Sequence, residues 1–382
     1  MKKMFEGMVI PMALALGLNS GVSFAQSKND VALPGAQVNA PQIEKFVEDT
    51  FISAKWGNGN GEFGYFQQPK DKFYPDMGPN AIGVDKNENI YILDAVNRRI
   101  NVFAKDGKYK TSVPLSSLGK YKIFDPANNE LYIDSSGYIY IRTQFLDFPF
   151  PNSAVVKLGP DGELLHQYIP TAELHEHFSP KTPQFEKFLK RIVKQTKVTV
   201  LSKNVGKLSR LHLDSNRHVR GIAGDSMAID FADNKISPVA IAGAPAESIE
   251  SSYGIERQAS SGEATVRKLV FRNKGTEEIS ILDLSEIIRR LPSGASVQNF
   301  RYIGSDNGNN VYFLVLADGI LNGNSPVIKY SKALNGLVGI ANVQNISEHP
   351  VAIGPSGNIY QLIWDSENIS DGVRILRWEA QK

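Results

Sequence analysis

Between Gly78 and Lys108 the chain alternates short apolar runs with polar punctuation. Ala81 to Val84, Ile90 to Leu93 and Arg99 to Phe103 are β-rich, and the polar stretch Asp85-Lys86-Asn87-Glu88-Asn89 divides the first two. Such runs bounded by turn formers predict strands. The third ends in Lys105-Asp106-Gly107-Lys108, where Asp-Gly supplies the positive φ of a tight hairpin. The segment is predicted to be an antiparallel meander. The same order returns at Leu131 to Asp134, Tyr138 to Arg142 and Ala154 to Leu158; at Phe300 to Ile303, Val311 to Leu316 and Val327 to Tyr330; and at Pro350 to Ile353, Asn358 to Leu362 and Val373 to Trp378. Asp85 and Asp134 stand 49 residues apart, as do Ser305 and Gly354. One meander cannot bury its own apolar face, so recurrence at this period predicts blades or solenoid coils.

The run Trp56-Gly57 to Gly61-Glu62-Phe63, followed by Ala81-Ile82-Gly83-Val84-Asp85, Asn89-Ile90-Tyr91-Ile92, Asp94, Asn97-Arg98-Arg99-Ile100 and Val102-Phe103, resembles the NHL repeat. That resemblance implies a β-propeller, six-bladed among other sizes. It leaves activity open, because NHL-type propellers include a peptide-amidating lyase and many binding modules.

The expected fold is therefore all-β: a propeller of six four-stranded antiparallel meanders, with seven blades as the alternative. With markers at Asp85, Asp134, Asp214, Ser305 and Gly354, the 91 residues between Asp214 and Ser305 leave room for one more blade, built from runs such as 237–242, 252–258, 265–272 and 279–282. Phe46 to Lys55 reads as a lone strand before the first meander, and Val373 to Trp378 lacks a strand after it. Pairing the two would close the ring and cover exposed edges. The 80 residues between Asp134 and Asp214 exceed one blade, and the excess at 170–197 changes period. There Thr182, Pro183 and the apolar set Phe185, Phe188, Leu189 and Ile192 predict a helical insertion near 183–195. A second short helix is expected at 285–291.

Lys2 and Lys3 precede an apolar stretch from Met8 to Leu18 and then Ser23-Phe24-Ala25, the pattern of a signal peptide cut after Ala25. The stretch is broken by Pro11 and Asn19, against the roughly 20 apolar residues a membrane span needs. The expected organisation is residues 1–25 as signal, 26–45 as a flexible tail and 46–382 as one propeller domain, exported to a bacterial periplasm or secreted. The chain carries 42 Lys and Arg against 40 Asp and Glu, a balance that argues against a nucleic-acid partner. It has no cysteine, hence no disulfide and no thiolate chemistry.

In a propeller the residues just before each innermost strand converge on a central funnel. These are Asn80, Glu130, then Lys207 and Arg210, and finally Asn299 and His349. All are polar and together suit a small polar ligand. Through Glu130, Asn80 and His349 they suit a cation as well, either Ca²⁺ or Zn²⁺. His175 and His177 form an H-x-H pair inside the expected insertion, and His212 and His218 flank one hairpin turn. No nucleophile elbow, zincin motif or phosphate loop is present, and the glycines of 57–61 precede no helix. The turns 85–89 and 306–310 are rich in oxygen ligands for Ca²⁺ but are also ordinary hairpin turns. The expected function is a monomeric binding or scaffold module with no cofactor, engaging a protein, peptide or glycan in the cell envelope. The alternative is a metal-dependent lyase or hydrolase with its site in the funnel.

Overall fold

Alternation along the inner strands decides which neighbour each residue faces. In the computed structural model β1 (Glu44–Ala54) precedes a first meander of β2 (Ala81–Val84), β3 (Ile90–Asp94), β4 (Arg99–Phe103) and β5 (Tyr109–Pro114). The second meander comprises β6 (Glu130–Ile133), β7 (Ile139–Phe145), β8 (Asn152–Leu158) and β9 (Leu164–Pro170), with β10 (Val198–Leu201) added parallel beside β9. The third is β11 (Leu208–Leu213), β12 (Val219–Ala223), β13 (Met227–Asp230) and β14 (Lys235–Pro238), and the fourth has three strands, β15 (Ser251–Ser260), β16 (Glu263–Asn273) and β17 (Ile279–Asp283). The fifth is β18 (Ser296–Ser305), β19 (Asn310–Asp318), β20 (Ser325–Ser331) and β21 (Gly336–Val343), and the last is β22 (Val351–Ile353), β23 (Ile359–Ile363) and β24 (Val373–Ala380).

The structure describes residues 43–67, 76–118, 130–145, 152–170, 198–201, 208–213, 216–223, 227–231, 235–238, 251–260, 263–273, 279–283, 296–318, 325–331, 333–334, 336–344, 350–365 and 368–381. The expected signal peptide, the helical insertion at 183–195 and the short helix at 285–291 lie outside them. The parallel strand β10 is not among the strands the sequence predicts.

All four residues of β2 are buried, but on two sides. Ala81 joins Leu131, Ile133, Ile139 and Ile141 of the second meander in one core, whereas Ile82 and Val84 join Tyr360, Leu362 and Ile375 of the last meander in another. Further cores join the second meander to the third and the fifth to the last. The innermost strands abut in sequence: β2 on β6, β6 on β11, β11 on β18, β18 on β22 and β22 on β2. This closed cycle of five first strands, each opening its own meander, is a propeller arrangement. Hydrogen bonds across the cycle follow it, since Tyr132 Oη donates to Leu211 O at 2.9 Å and Tyr302 Oη to Leu213 O at 3.1 Å, one from each side of β11. The fourth meander reaches this cycle through β16, which rests against β18. Packing at the centre is tight: a Cβ added to Gly83 would stand 2.7 Å from Leu131 O, so only glycine fits there.

β1 pairs antiparallel with β24 from Phe46↔Ala380 to Ala54↔Val373, the expected closure. Its first two residues also pair parallel with Gly339 and Ile340 of β21. The N-terminal strand thus fuses the fifth and last meanders into one eight-stranded sheet, in the order β18-β19-β20-β21-β1-β24-β23-β22. Glu44 adds an ion pair to Lys329 Nζ at 2.9 Å.

The turns after the inner strands share a chemical device. Asp85 Oδ1 accepts the amides of Asn87 and Asn89, both at 2.8 Å, and Asp134 Oδ1 accepts those of Ser136 and Tyr138, both at 2.9 Å. Asp306 does the same for Asn310, so Asp306 rather than Ser305 is the equivalent position in the fifth meander. Six residues beyond each stands a tyrosine, Tyr91, Tyr140 or Tyr312, whose hydroxyl donates to the same carboxylate. The last meander keeps Tyr360 but has Gly354 where the aspartate belongs. Glu88 of the first meander fills the gap: Ser356 N donates to its Oε1 at 2.6 Å and Tyr360 Oη to its Oε2 at 3.0 Å. A Cβ on Gly354 would lie 2.3 Å from Glu88 Oε2, so the borrowed carboxylate occupies the space of the missing one. Arg217, in the turn of the third meander, is buried, donates to Val84 O and accepts from Ser135 N, so it joins three meanders at this end.

Candidate functional site

The opposite ends of the inner strands form the mouth of the ring, where sequence reasoning placed the funnel. Asn80 stands immediately before β2, its amide donating to Leu93 O at 3.2 Å. Its side-chain Oδ1 is buried without a hydrogen-bond partner. Glu130 opens β6 and is engaged on two sides: Oε2 accepts Leu211 N of the third meander at 2.8 Å, and Oε1 lies 3.5 Å from the Arg142 guanidinium. Glu130 therefore stitches β6 to β11 beside the backbone of Arg210, which pairs with Ile222. Thr143, at the same end of β7, is buried with no partner for Oγ1. Asn299 lies in β18 opposite Leu316. Lys207 and His349 lie outside the described residues; the residue after His349, Pro350, accepts Leu362 N at 3.1 Å.

Sequence reasoning missed an aromatic group at this mouth. Trp56 follows β1, Tyr65 lies in the connector to β2, and Trp364 follows β23. Their ring centroids are 5.2 Å apart for Trp56 and Tyr65, 5.9 Å for Trp56 and Trp364, and 6.3 Å for Tyr65 and Trp364. Each polar edge is tied to protein: Trp56 Nε1 donates to Ile369 O at 2.7 Å, Trp364 Nε1 to Pro79 O at 2.8 Å, and Tyr65 Oη to Asp76 Oδ2 at 2.5 Å. Burial and the Asp76 carboxylate push the Tyr65 hydroxyl up to about 12. Trp56 and Tyr65 are near neighbours in sequence, but Trp364 is separated from both by most of the chain, so no local pattern could have announced the group. Their only sequence signal is scarcity, since Trp56 and Trp364 are two of three tryptophans.

The other chemistry raised by the sequence resolves into packing. The carbonyls of Gly57, Asn58, Gly59 and Glu62 are held by Asn97, Arg99 and Asn101, and Arg99 Nε meets the buried Asp94 at 3.1 Å. The glycine-rich segment is thus a connector pinned to the first meander. In the turns at 85 and 306 the oxygens that calcium would need already accept N–H groups. His166 lies in a cross-strand row with Lys157 and Tyr140, and Lys157 Nζ stands 4.6 Å from the Tyr138 ring centroid. Burial holds Lys157 below its usual range; burial and then Lys157 do the same for His166. His218 is half-buried after its turn, the His212 side chain is not described, and His175 and His177 lie outside the described residues. Among the described residues no three His, Asp or Glu side chains cluster as metal ligands, and no helix is long and apolar enough to cross a membrane.

No family model and no curated protein matches the sequence. Solved structures with similar backbones include a streptogramin B lyase, at 12% identity and TM-score 0.38 over 81% of this chain and 96% of that one. A member of the DUF4221 family from Bacteroides vulgatus aligns at 12% identity and TM-score 0.37 over 83% and 96% of the two chains. The WD40 β-propeller domain of Doa1 aligns at 10% identity and TM-score 0.33 over 80% and 83%.

Proposed function

We propose that the protein is an exported propeller of the NHL type that works as a binding module in the cell envelope, engaging a protein, peptide or glycan through the mouth of the ring. The observation that carries this reading is the buried Asn80 Oδ1 at that mouth, a polar atom with no hydrogen-bond partner among the described residues. Buried polar atoms are satisfied in nearly all native structures, so such an atom points to a ligand or an ordered water. Glu130 by contrast is committed to Leu211 and Arg142, which supports a structural role for the carboxylate that a metal enzyme would need. Metal analysis of the purified protein and of its Glu130→Ala and His349→Ala variants tests the reading. A folded protein without bound metal is the expected result. Stoichiometric Zn²⁺ or Ca²⁺ lost in both variants would overturn it in favour of a metal-dependent lyase or hydrolase.

The six-blade count belongs to the same proposal, with β15 to β17 as the fourth blade. On that count, replacing residues 251–283 with a short linker should abolish cooperative unfolding. A variant that keeps its melting transition would identify the contact of β11 with β18 as a finished five-membered closure.

A further inference from the structure

The geometry points to a neutral saccharide as the ligand of the mouth, stacked on Trp364 and its aromatic neighbours at the junction of the first and last meanders; this inference rests on the binding-module reading above. Trp364 lies directly over the backbone that leads into β2. Its Nε1 is bonded to Pro79 O at 2.8 Å, and a Cβ on Gly78 would come within 2.9 Å of its ring. Asn80, with its unpartnered Oδ1, is the next residue along. Trp56, Tyr65 and Trp364 are all partly exposed, and Phe66 beside them is 47% exposed. Asp76 meets the Tyr65 hydroxyl, and Asp365, the residue after Trp364, accepts from Asn368.

Three features select the ligand. First, every polar edge of the three rings is already bonded to protein, so the rings offer rigid carbon surface, which suits the apolar C–H face of a pyranose. Second, the buried amide oxygen and the carboxylates of Asp76 and Asp365 are acceptors, and sugar hydroxyls are donors that need them. Third, the rings touch one another at centroid distances of 5.2 to 6.3 Å, and their planes cross at 89° for the two tryptophans. That contact closes the space in which an aromatic cage would enclose an ammonium group. The same carboxylates repel phosphate and disfavour nucleic acid.

Trp378, the third tryptophan, is buried, so a ligand at the mouth acts on the fluorescence of Trp56 and Trp364. The test is titration of the purified protein with short neutral oligosaccharides of glucose, xylose, mannose and N-acetylglucosamine, followed by tryptophan fluorescence and calorimetry. At least one should give a saturable change that weakens about tenfold or more in Asn80→Ala, which deletes the unpartnered acceptor but keeps the backbone bond to Leu93. Trp364→Phe should weaken it as well while leaving a cooperative melting transition. If no sugar gives a saturable change, if Asn80→Ala binds as tightly as the parent, or if only Lys- or Arg-rich peptides bind there, the saccharide assignment is overturned. Peptide binding would leave the binding-module reading standing, whereas stoichiometric metal dependent on Glu130 and His349 would remove that reading by a separate route.

Discussion

At the turn end of the inner strands Asp85, Asp134 and Asp306 each gather backbone amides and a tyrosine hydroxyl, and where an aspartate is missing Glu88 reaches across from another meander to take its place. At the mouth end Asn80 Oδ1 and Thr143 Oγ1 are buried with nothing to bond. Repetition accounts for the difference. The turn device recurs in the first, second and fifth meanders and is repaired in the last, as expected of groups that hold the fold, although Arg217 Nε at this end is buried without a partner among the described residues. The mouth residues differ from one meander to the next, as expected of a surface that meets something else.

The largest effect expected from breaking this comparison comes from the closure, which both ends share. Deleting residues from Val373 onward removes the strand that pairs with β1 and β23 together, and circular dichroism should show cooperative unfolding lost altogether. Next comes Asp134→Ala, which strands two amides and the buried Tyr140 hydroxyl. Urea denaturation should register a loss of about 2 to 3 kcal/mol, whereas Asn80→Ala should cost less than about 0.5 kcal/mol because its acceptor has no partner to lose.

Glu88→Ala should cost about 1 to 2 kcal/mol by removing the carboxylate shared by Ser356 and Tyr360. Adding Gly354→Asp in that background should recover most of the loss, while Gly354→Asp alone should destabilise by forcing two carboxylates into one space. A double-mutant cycle measures both signs.

Alkaline pH sharpens the same contrast. Burial and the Asp85 carboxylate push the Tyr91 hydroxyl up to about 12, and burial does the same for Tyr168. In the unfolded chain a tyrosine loses its proton near pH 10. Above about pH 10 the unfolded state therefore binds fewer protons than the folded one, so stability is intact below that pH and falls as pH rises toward 12. Tyr91→Phe should flatten the decline. The smallest effect is expected at the exposed pair of Arg377 with Asp49, 2.8 Å apart, where Asp49→Asn should change stability by under about 1 kcal/mol.

Much of the turn end was legible in the sequence because its determinants are local. The runs at 81–84, 90–93 and 99–103 form β2, β3 and β4, and the runs at 252–258, 265–272 and 279–282 fall within β15, β16 and β17, whereas the run at 237–242, expected in the same blade as these three, begins in β14 of the third meander. The lone strand at 46–55 and its C-terminal partner were legible as leftovers of a repeat. What could not be read depends on distant apposition. Glu88 is an unremarkable polar turn residue until Gly354 is brought against it, and the aromatic group needs both ends of the chain in place before its members meet. Of the funnel residues, Asn80 and Glu130 are found at the ends of neighbouring inner strands, but position alone could not distinguish an acceptor left open from a carboxylate already committed.

The pairing of Phe46 with Ala380 also sets a schedule. β1 is made before every other described strand, yet its partners β21 and β24 follow it by about 280 to 330 residues. For nearly the whole of that interval its backbone donors and acceptors have no native partner. Contacts of such sequence separation are intrinsically slow to form. Refolding should therefore show an early phase in which the first and second meanders assemble through local turns, and a late phase reported by the Phe51 and Arg377 contact, 4.5 Å from ring centroid to guanidinium carbon, as the two ends of the chain meet. A holdase that covers an unpaired strand during that wait would raise the folded yield without touching the finished protein.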